Sequence, residues 1–537
     1  MTDIRNKTTL IASIFISFYL SACGQTDTSI LPEVEKTKRV HITNERIFND
    51  EASIPPQCYT RTEQKYNPCY TCHQLYDRKG EDRLNQLDDG SIQGSYIFSD
   101  IGVTNHWSNL FEDRSQWLKD VDDQSIRKYV ATENYQSLPK ILSDSGWTGF
   151  IPDLTNYHKG AAAFDANGLA LDDSGWVAFN YKPFPGTFWP TNGSTDDVVI
   201  RLPKKFRELN GQFNRDIYFI NLTLTELNLK NIDSVNFWNI DESEINADLN
   251  RDGKLSIIDT ITKSSHYLGD ASDEKIEFQQ FPQGTEFMHS VRYVGTDIQG
   301  NISIPARMKE LRYMRKVNVL NRYVIDSRYA NERKEKLLEQ VPNFIKRGDE
   351  GLDNGLGWFV QGFIEDYNGD LRPQSYEETM FCMGCHAAIG TTIDSTFSMA
   401  RKVSGGQGWG YINLHGMKDA PNFNEEGGEI LNYLQRAGGG SEFRSNPEII
   451  EKWYKDGTPD VDKIQAADVY ALITPSMRRA LDLNKAYSHI VRHQSFINGR
   501  DATWSPVTNV YKEIDESTPP LDGAHRVYHW DMRLNWD

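Results

Sequence analysis

The sequence predicts a mainly α fold with irregular and some β structure, arranged as two like regions separated by a mixed α/β segment. Three observations predict it. The pentapeptides Cys69-Tyr70-Thr71-Cys72-His73 and Cys382-Met383-Gly384-Cys385-His386 repeat one pattern, C-x-x-C-H, in the two halves of the chain. Between them, residues 248–259 place oxygen-bearing side chains at alternate positions. Apolar residues at helical spacing or in short extended runs fill the remaining elements. With 537 residues, 38% hydrophobic residues and 12 Trp, the chain holds enough apolar material for two or three cores. Its 39 Gly and 21 Pro are too few for a collagen-like or low-complexity chain. The net charge of −18 comes with no long basic stripe, so a nucleic acid partner is excluded on electrostatic grounds. Six Cys are too few for a disulfide scaffold in a chain of this length.

Taken in order, residues 1–22 have a charged start with Arg5 and Lys7 and an uncharged stretch from Thr8 to Ala22. This is a secretory signal, shorter than the about 20 residues that span a hydrocarbon core. Leu20-Ser21-Ala22-Cys23 resembles the lipobox of bacterial lipoproteins. The resemblance implies an acylated Cys23 as the new N-terminus and lipid anchor of an exported chain. Gly24, not Asp, follows it, which implies the outer membrane, facing the periplasm or the cell surface. Residues 23–57 carry Pro32, Pro55 and Pro56 without periodicity and read as a tether; the alternative is an arm packed on the body.

Residues 58–175 form the N-terminal region around the first pentapeptide, with helices and loops between Asp/Ser/Gly turns. The middle region, 176–316, has short extended pieces at Trp176–Tyr181 and Val198–Leu202, and helical spacing at Ile217, Ile220, Leu224 and Leu227. The C-terminal region, 317–537, has predicted helices at 331–341, 373–386, 448–454 and 467–473.

Two residues between paired thiols let one helical turn offer both sulfurs to the two vinyl groups of a haem, while the adjoining His binds the iron. A zinc or thioredoxin-like reading of C-x-x-C explains neither His. Over these pentapeptides and their adjoining helices the chain resembles the dihaem c-type cytochromes of bacteria. The resemblance implies two covalent haem c groups, at Cys69/Cys72 and Cys382/Cys385, with His73 and His386 as proximal ligands. It also completes the fold class as two cytochrome c-like haem regions. The wide spacing departs from dihaem peroxidases, whose haem domains follow each other more closely.

Candidate distal ligands are His106 for the first site and His415 or Met417 for the second, with His289 as an alternative. Cys58, left over by this arithmetic, is a buried small hydrophobe, a haem-proximal thiol or an intermolecular bridge. The segment Phe184–Pro190 is a candidate crevice wall.

Asp248, Asn250, Asp252, Lys254, Ser256 and Asp259 fit the EF-hand frame, with Gly253 at the sharp turn and Lys254 contributing its carbonyl. Calcium is the expected cation, the alternative being a cation-free Asp/Asn turn; Asp259 replaces the usual bidentate Glu, and the flank after Ser256 is expected to start a helix.

Two functions follow from these readings. One is a membrane-anchored electron-transfer cytochrome whose acidic surface steers a redox partner protein. The alternative is a dihaem oxidoreductase of peroxidase or oxidase type, with one open haem face and a small-molecule substrate. The spacing singles out no catalytic residue.

Overall fold

An antiparallel sheet of eight strands forms the centre of the computed structural model. The structure describes residue 49 and residues 52–73, 90–186, 189–338, 340, 344–439, 446–525 and 530–537. The strands are β1 (Val177–Ala178), β2 (Thr195–Arg201), β3 (Glu286–Arg292), β4 (Met308–Lys316), β5 (Ile345–Lys346), β6 (Leu352–Asp353), β7 (Trp358–Glu365) and β8 (Leu371–Pro373). Their order is β1-β2-β3-β4-β7-β6-β5, with β8 on the free part of β7.

The register fixes what each face carries. Val198, His289, Arg312 and Gly362 form one cross-strand row, and Ile200, Phe287, Met314 and Val360 the next. Alternation then sends Val199, Met288, Leu311 and Phe363 to the opposite face, where they join a core with Tyr135, Leu138 and Leu142.

This architecture corrects the expected fold class. The protein is not mainly α, and two cytochrome c-like regions do not flank a separate middle segment. β4 belongs to the expected middle region and β7 to the C-terminal one, yet they pair over seven residues. One core cluster extends from Ala52 to Met532, across the expected boundaries at 175/176 and 316/317. The physical reason is legible in β4: Met-Lys-Glu-Leu-Arg-Tyr-Met-Arg-Lys carries charge on a buried face, so the alternation that marks a half-buried strand is absent.

Helix α1 (Arg215–Lys230) forms where the spacing of Ile217, Ile220, Leu224 and Leu227 predicts it. Asn214 caps it by accepting the Ile217 amide at 2.9 Å, and it ends in a left-handed Asn231. The helix is buried on all sides from Ile217 to Lys230, so its charges must be compensated internally. Glu226 takes Lys230 at 2.7 Å and Lys402 at 2.8 Å. Helix α2 (Tyr376–Met383) opens with a capping box formed by Ser375 and Glu378, and helix α3 (Met477–His493) packs near the N-terminal helices.

The signal segment 1–22 and Cys23 lie outside the described residues, as does most of the expected tether. Its last part is no tether: Ala52 and Pro56 are buried, and the Asn49 side chain donates to the Ile497 carbonyl at 2.7 Å. Among the described residues no helix is long and apolar enough to cross a membrane.

Candidate functional site

The two pentapeptides adopt the same backbone turn. In the first, the amides of Cys72 and His73 donate to the Cys69 carbonyl at 3.1 and 2.9 Å. In the second, Cys385 and His386 donate to the Cys382 carbonyl at the same two distances. Each turn places its second Cys and its His three and four residues after the first Cys, on one helical face. Asn67 starts the first turn by accepting the Cys69 amide at 2.7 Å. Helix α2 delivers the second.

The tertiary structure brings these turns together. The Thr391 amide donates to the Cys72 carbonyl at 3.2 Å, which ties the first turn to the chain just beyond the second. A Cβ on Gly384 would lie 2.6 Å from the Ser53 carbonyl oxygen, so the N-terminal arm rests directly on the second turn. Cys72 lines two neighbouring cavities: a larger one shared with Cys382, Cys385 and His386, and a smaller one shared with Cys58, Cys69 and His73. Counting their open mouths, they enclose about 1830 and 970 Å³.

The sheet forms a wall of the larger cavity. His289, Arg312, Phe287, Met314 and Val360 face it from the two cross-strand rows, and Phe381 and Phe184 add aromatic surface. Arg312 and Arg500 are held by Glu310 at 3.0 and 2.9 Å. Burial opposes ionisation of Glu310, but the two guanidinium groups overcome it and hold its carboxyl at about 2. His386 donates Nδ1–H to the Ser395 carbonyl at 2.8 Å, which fixes its tautomer and leaves Nε2 as the unprotonated nitrogen. Burial, aided by Arg312 and His289, pushes the imidazole down to about 4, so it is neutral at pH 7. Burial also pushes both thiols of this turn up.

These residues fit a covalently attached haem. The cavity offers two thiols on one turn, a neutral imidazole with a fixed tautomer, an apolar wall and two guanidinium groups suited to carboxylates. The smaller cavity offers the Cys69, Cys72 and His73 set, with Met383, Ala387 and Ile389 as apolar wall.

Of the expected distal residues, the structure places His289 in the wall of the larger cavity. His106 is half-buried beside Trp107, whose ring meets Phe381 at 5.0 Å, and lines neither cavity. His415 is exposed and stacks on Tyr470 at 3.8 Å, while Met417 is buried in the main core; neither lines a cavity. Sequence reasoning missed Arg312, Arg500, Glu310, Asp196 and Tyr181. No motif marks them, because strand pairing alone brings most of them to one wall.

The 248–259 loop is a turn tied to its own backbone. Asp248 accepts the amides of Asp252 and Gly253 at 3.2 and 3.0 Å, and Asp252 accepts that of Lys254 at 2.8 Å. The chain after Ser256 is a strand, Ile257–Thr262, not the expected helix, and Asp259 is exposed on it. Among the described residues no group of three or more His, Cys, Asp or Glu is placed to hold a metal ion.

Residues 41–471 match a family model whose description reads "-like lipoprotein". An "Uncharacterized lipoprotein" of Aquifex aeolicus (strain VF5) is 31% identical over 522 residues, covering 86% of this chain and 87% of that protein. No solved structure matches significantly. With four-fifths of its length matched by the family model and a full-length relative above 30% identity, the chain belongs to this family of lipoproteins.

Proposed function

We propose that this lipoprotein is a lipid-anchored dihaem c-type cytochrome that transfers electrons. One observation carries the reading: the two C-x-x-C-H turns, remote in sequence, take identical hydrogen-bonded form and share a cavity wall at Cys72. Cys69 and Cys72 would hold one haem and Cys382 and Cys385 the other, with His73 and His386 as iron ligands. Haem c, when bound, supplies a one-electron iron couple at each site.

The chain's own residues do the rest. The two turns hold the attachment points side by side, the sheet and Phe381 exclude water from one of them, and Arg312 and Arg500 balance carboxylates there. The net charge of −18 steers a basic redox partner protein, and Cys23, as lipid anchor, concentrates the protein at the outer membrane.

The test is the absorbance of protein produced with a c-type maturation system. Two haems per chain, retained after acid-acetone extraction, are expected; Cys69→Ala/Cys72→Ala and Cys382→Ala/Cys385→Ala variants should each retain one. A chain with no Soret band overturns the proposal. The length of the chain, 537 residues for two haems, favours a second reading as an oxidase or peroxidase-like enzyme with one open haem face. Reaction of the reduced protein with hydrogen peroxide, absent for a pure carrier, separates the two.

A further inference from the structure

We propose that His489 and His493, near the C-terminal end of α3, bind a divalent transition-metal ion of the zinc, copper and nickel class. The pair lines neither of the two cavities, so the site stands whether or not the chain carries haem.

Spacing and backbone bring the two rings together. His489 and His493 are four residues apart on one helix face. The same spacing lets a helix offer two imidazoles to one zinc ion in H-E-x-x-H sites. Their ring centroids are 4.1 Å apart. His493 donates Nδ1–H to the His489 carbonyl at 2.8 Å, which fixes its tautomer and puts the lone pair on Nε2. His489 Nδ1 is buried and has no hydrogen-bond partner among the described residues. Imidazole nitrogens are the donors that zinc, copper and nickel favour.

The surroundings suit a cation. Glu112 Oε2 lies 3.8 Å from His489 Nδ1, too far for a hydrogen bond yet near enough to balance charge. Arg114 opposes positive charge at His489, but Glu112 pairs with that guanidinium at 2.7 Å. Helix α3 ends at His493, so the negative end of its dipole lies at the site. Trp117 stands edge-on to both imidazoles, at 5.2 and 6.5 Å. Its own indole N–H donates to the Lys485 carbonyl at 3.0 Å and the Ser488 hydroxyl at 3.1 Å. This fixed wall confines both rings before the ion arrives, so less side-chain freedom is lost on binding. Two imidazoles are fewer than the three protein ligands of a catalytic zinc, and water completes the shell.

Titration calorimetry of the full chain with zinc chloride, after metal has been removed by a chelator, counts the sites, and hydrogen exchange locates them. Cysteines and other histidines also take zinc, so the quantity that decides is the difference between wild type and variants. His489→Ala and His493→Gln should each lose one zinc equivalent. His415→Ala, which removes an exposed ring stacked on Tyr470, should lose none. Zinc should slow amide exchange at 490–495 in the wild type and in His415→Ala but not in the other two, because a chelate across one turn holds that turn closed. Calcium chloride should leave exchange there unchanged, since a hard cation takes oxygen ligands. His489→Ala removes a ring packed on Trp117; if it fails to fold, His493→Gln, which replaces a half-buried ring, carries the test.

Equal zinc stoichiometry in the wild type and His493→Gln, or exchange at 490–495 that is indifferent to zinc, overturns the site. Either result leaves the haem reading untouched.

Discussion

The Cys72 carbonyl accepts the Thr391 amide at 3.2 Å, so a residue of the first C-x-x-C-H turn is bonded to the segment that follows the second. Cys72 also lines both cavities, and the contents of one are part of the environment of the other.

The first prediction concerns that shared wall. In a Cys382→Ala/Cys385→Ala variant the larger cavity takes up water beside Cys72. A more polar surrounding favours the charged oxidised iron, so the midpoint potential of the remaining haem should fall. Redox titration of the variant against the wild type measures the shift, and an unchanged potential would show that the sites are independent.

Gly384 tests the seat of the N-terminal arm. An added methyl group meets the Ser53 carbonyl oxygen at 2.6 Å, and a backbone atom cannot swing aside as a side-chain end can. Gly384→Ala should therefore lower stability by about 1–3 kcal/mol, as overpacking does elsewhere. Thermal unfolding reads the loss, and protection of residues 52–58 in hydrogen exchange should drop with it.

Glu429 gives a pH dependence with a definite sign. Burial disfavours its charge, yet Arg401, at 2.7 and 2.6 Å, and Lys182, at 3.0 Å, hold its carboxyl at about 2, below the ordinary 4.5. Its contribution to stability is complete above about 4.5 and is lost as the pH falls through about 2. Glu429→Gln should flatten the unfolding profile across that window. At neutral pH it should cost about 3–5 kcal/mol, because buried Arg401 loses its counter-ion, while Lys182 keeps Asp419 at 2.6 Å.

Glu242 governs the 248–259 loop. It is fully buried, and its carboxylate accepts the amides of Leu249 at 2.6 Å, Asn250 at 3.4 Å and Ser256 at 3.1 Å. Glu242→Ala leaves these donors without an acceptor, at a cost of about 1–3 kcal/mol. Amide exchange at 249–256 should accelerate while the rest of the chain keeps its protection; slow exchange at those amides would show that the loop holds itself.

The parts legible in the sequence were those whose causes lie within a few residues. The C-x-x-C-H turns close through bonds from positions three and four to position zero, and α1 follows the spacing of its own apolar residues. Elsewhere local reading misled. The run 308–316 shows no period of two, since Glu310 and Arg312 occupy its cavity face, where they pair with each other and Glu310 also takes Arg500 from outside the run.

By itself the sequence determined the two C-x-x-C-H turns, the export and lipid-anchor signal and the acidic surface, because each depends on neighbouring residues or on summed charge. Only the tertiary structure decided that the turns meet, that an antiparallel sheet walls the larger cavity and that His289 and His386 line that same cavity. Strand register, which joins Val198, His289, Arg312 and Gly362 into one row, is a relation among four segments, and no one segment contains it.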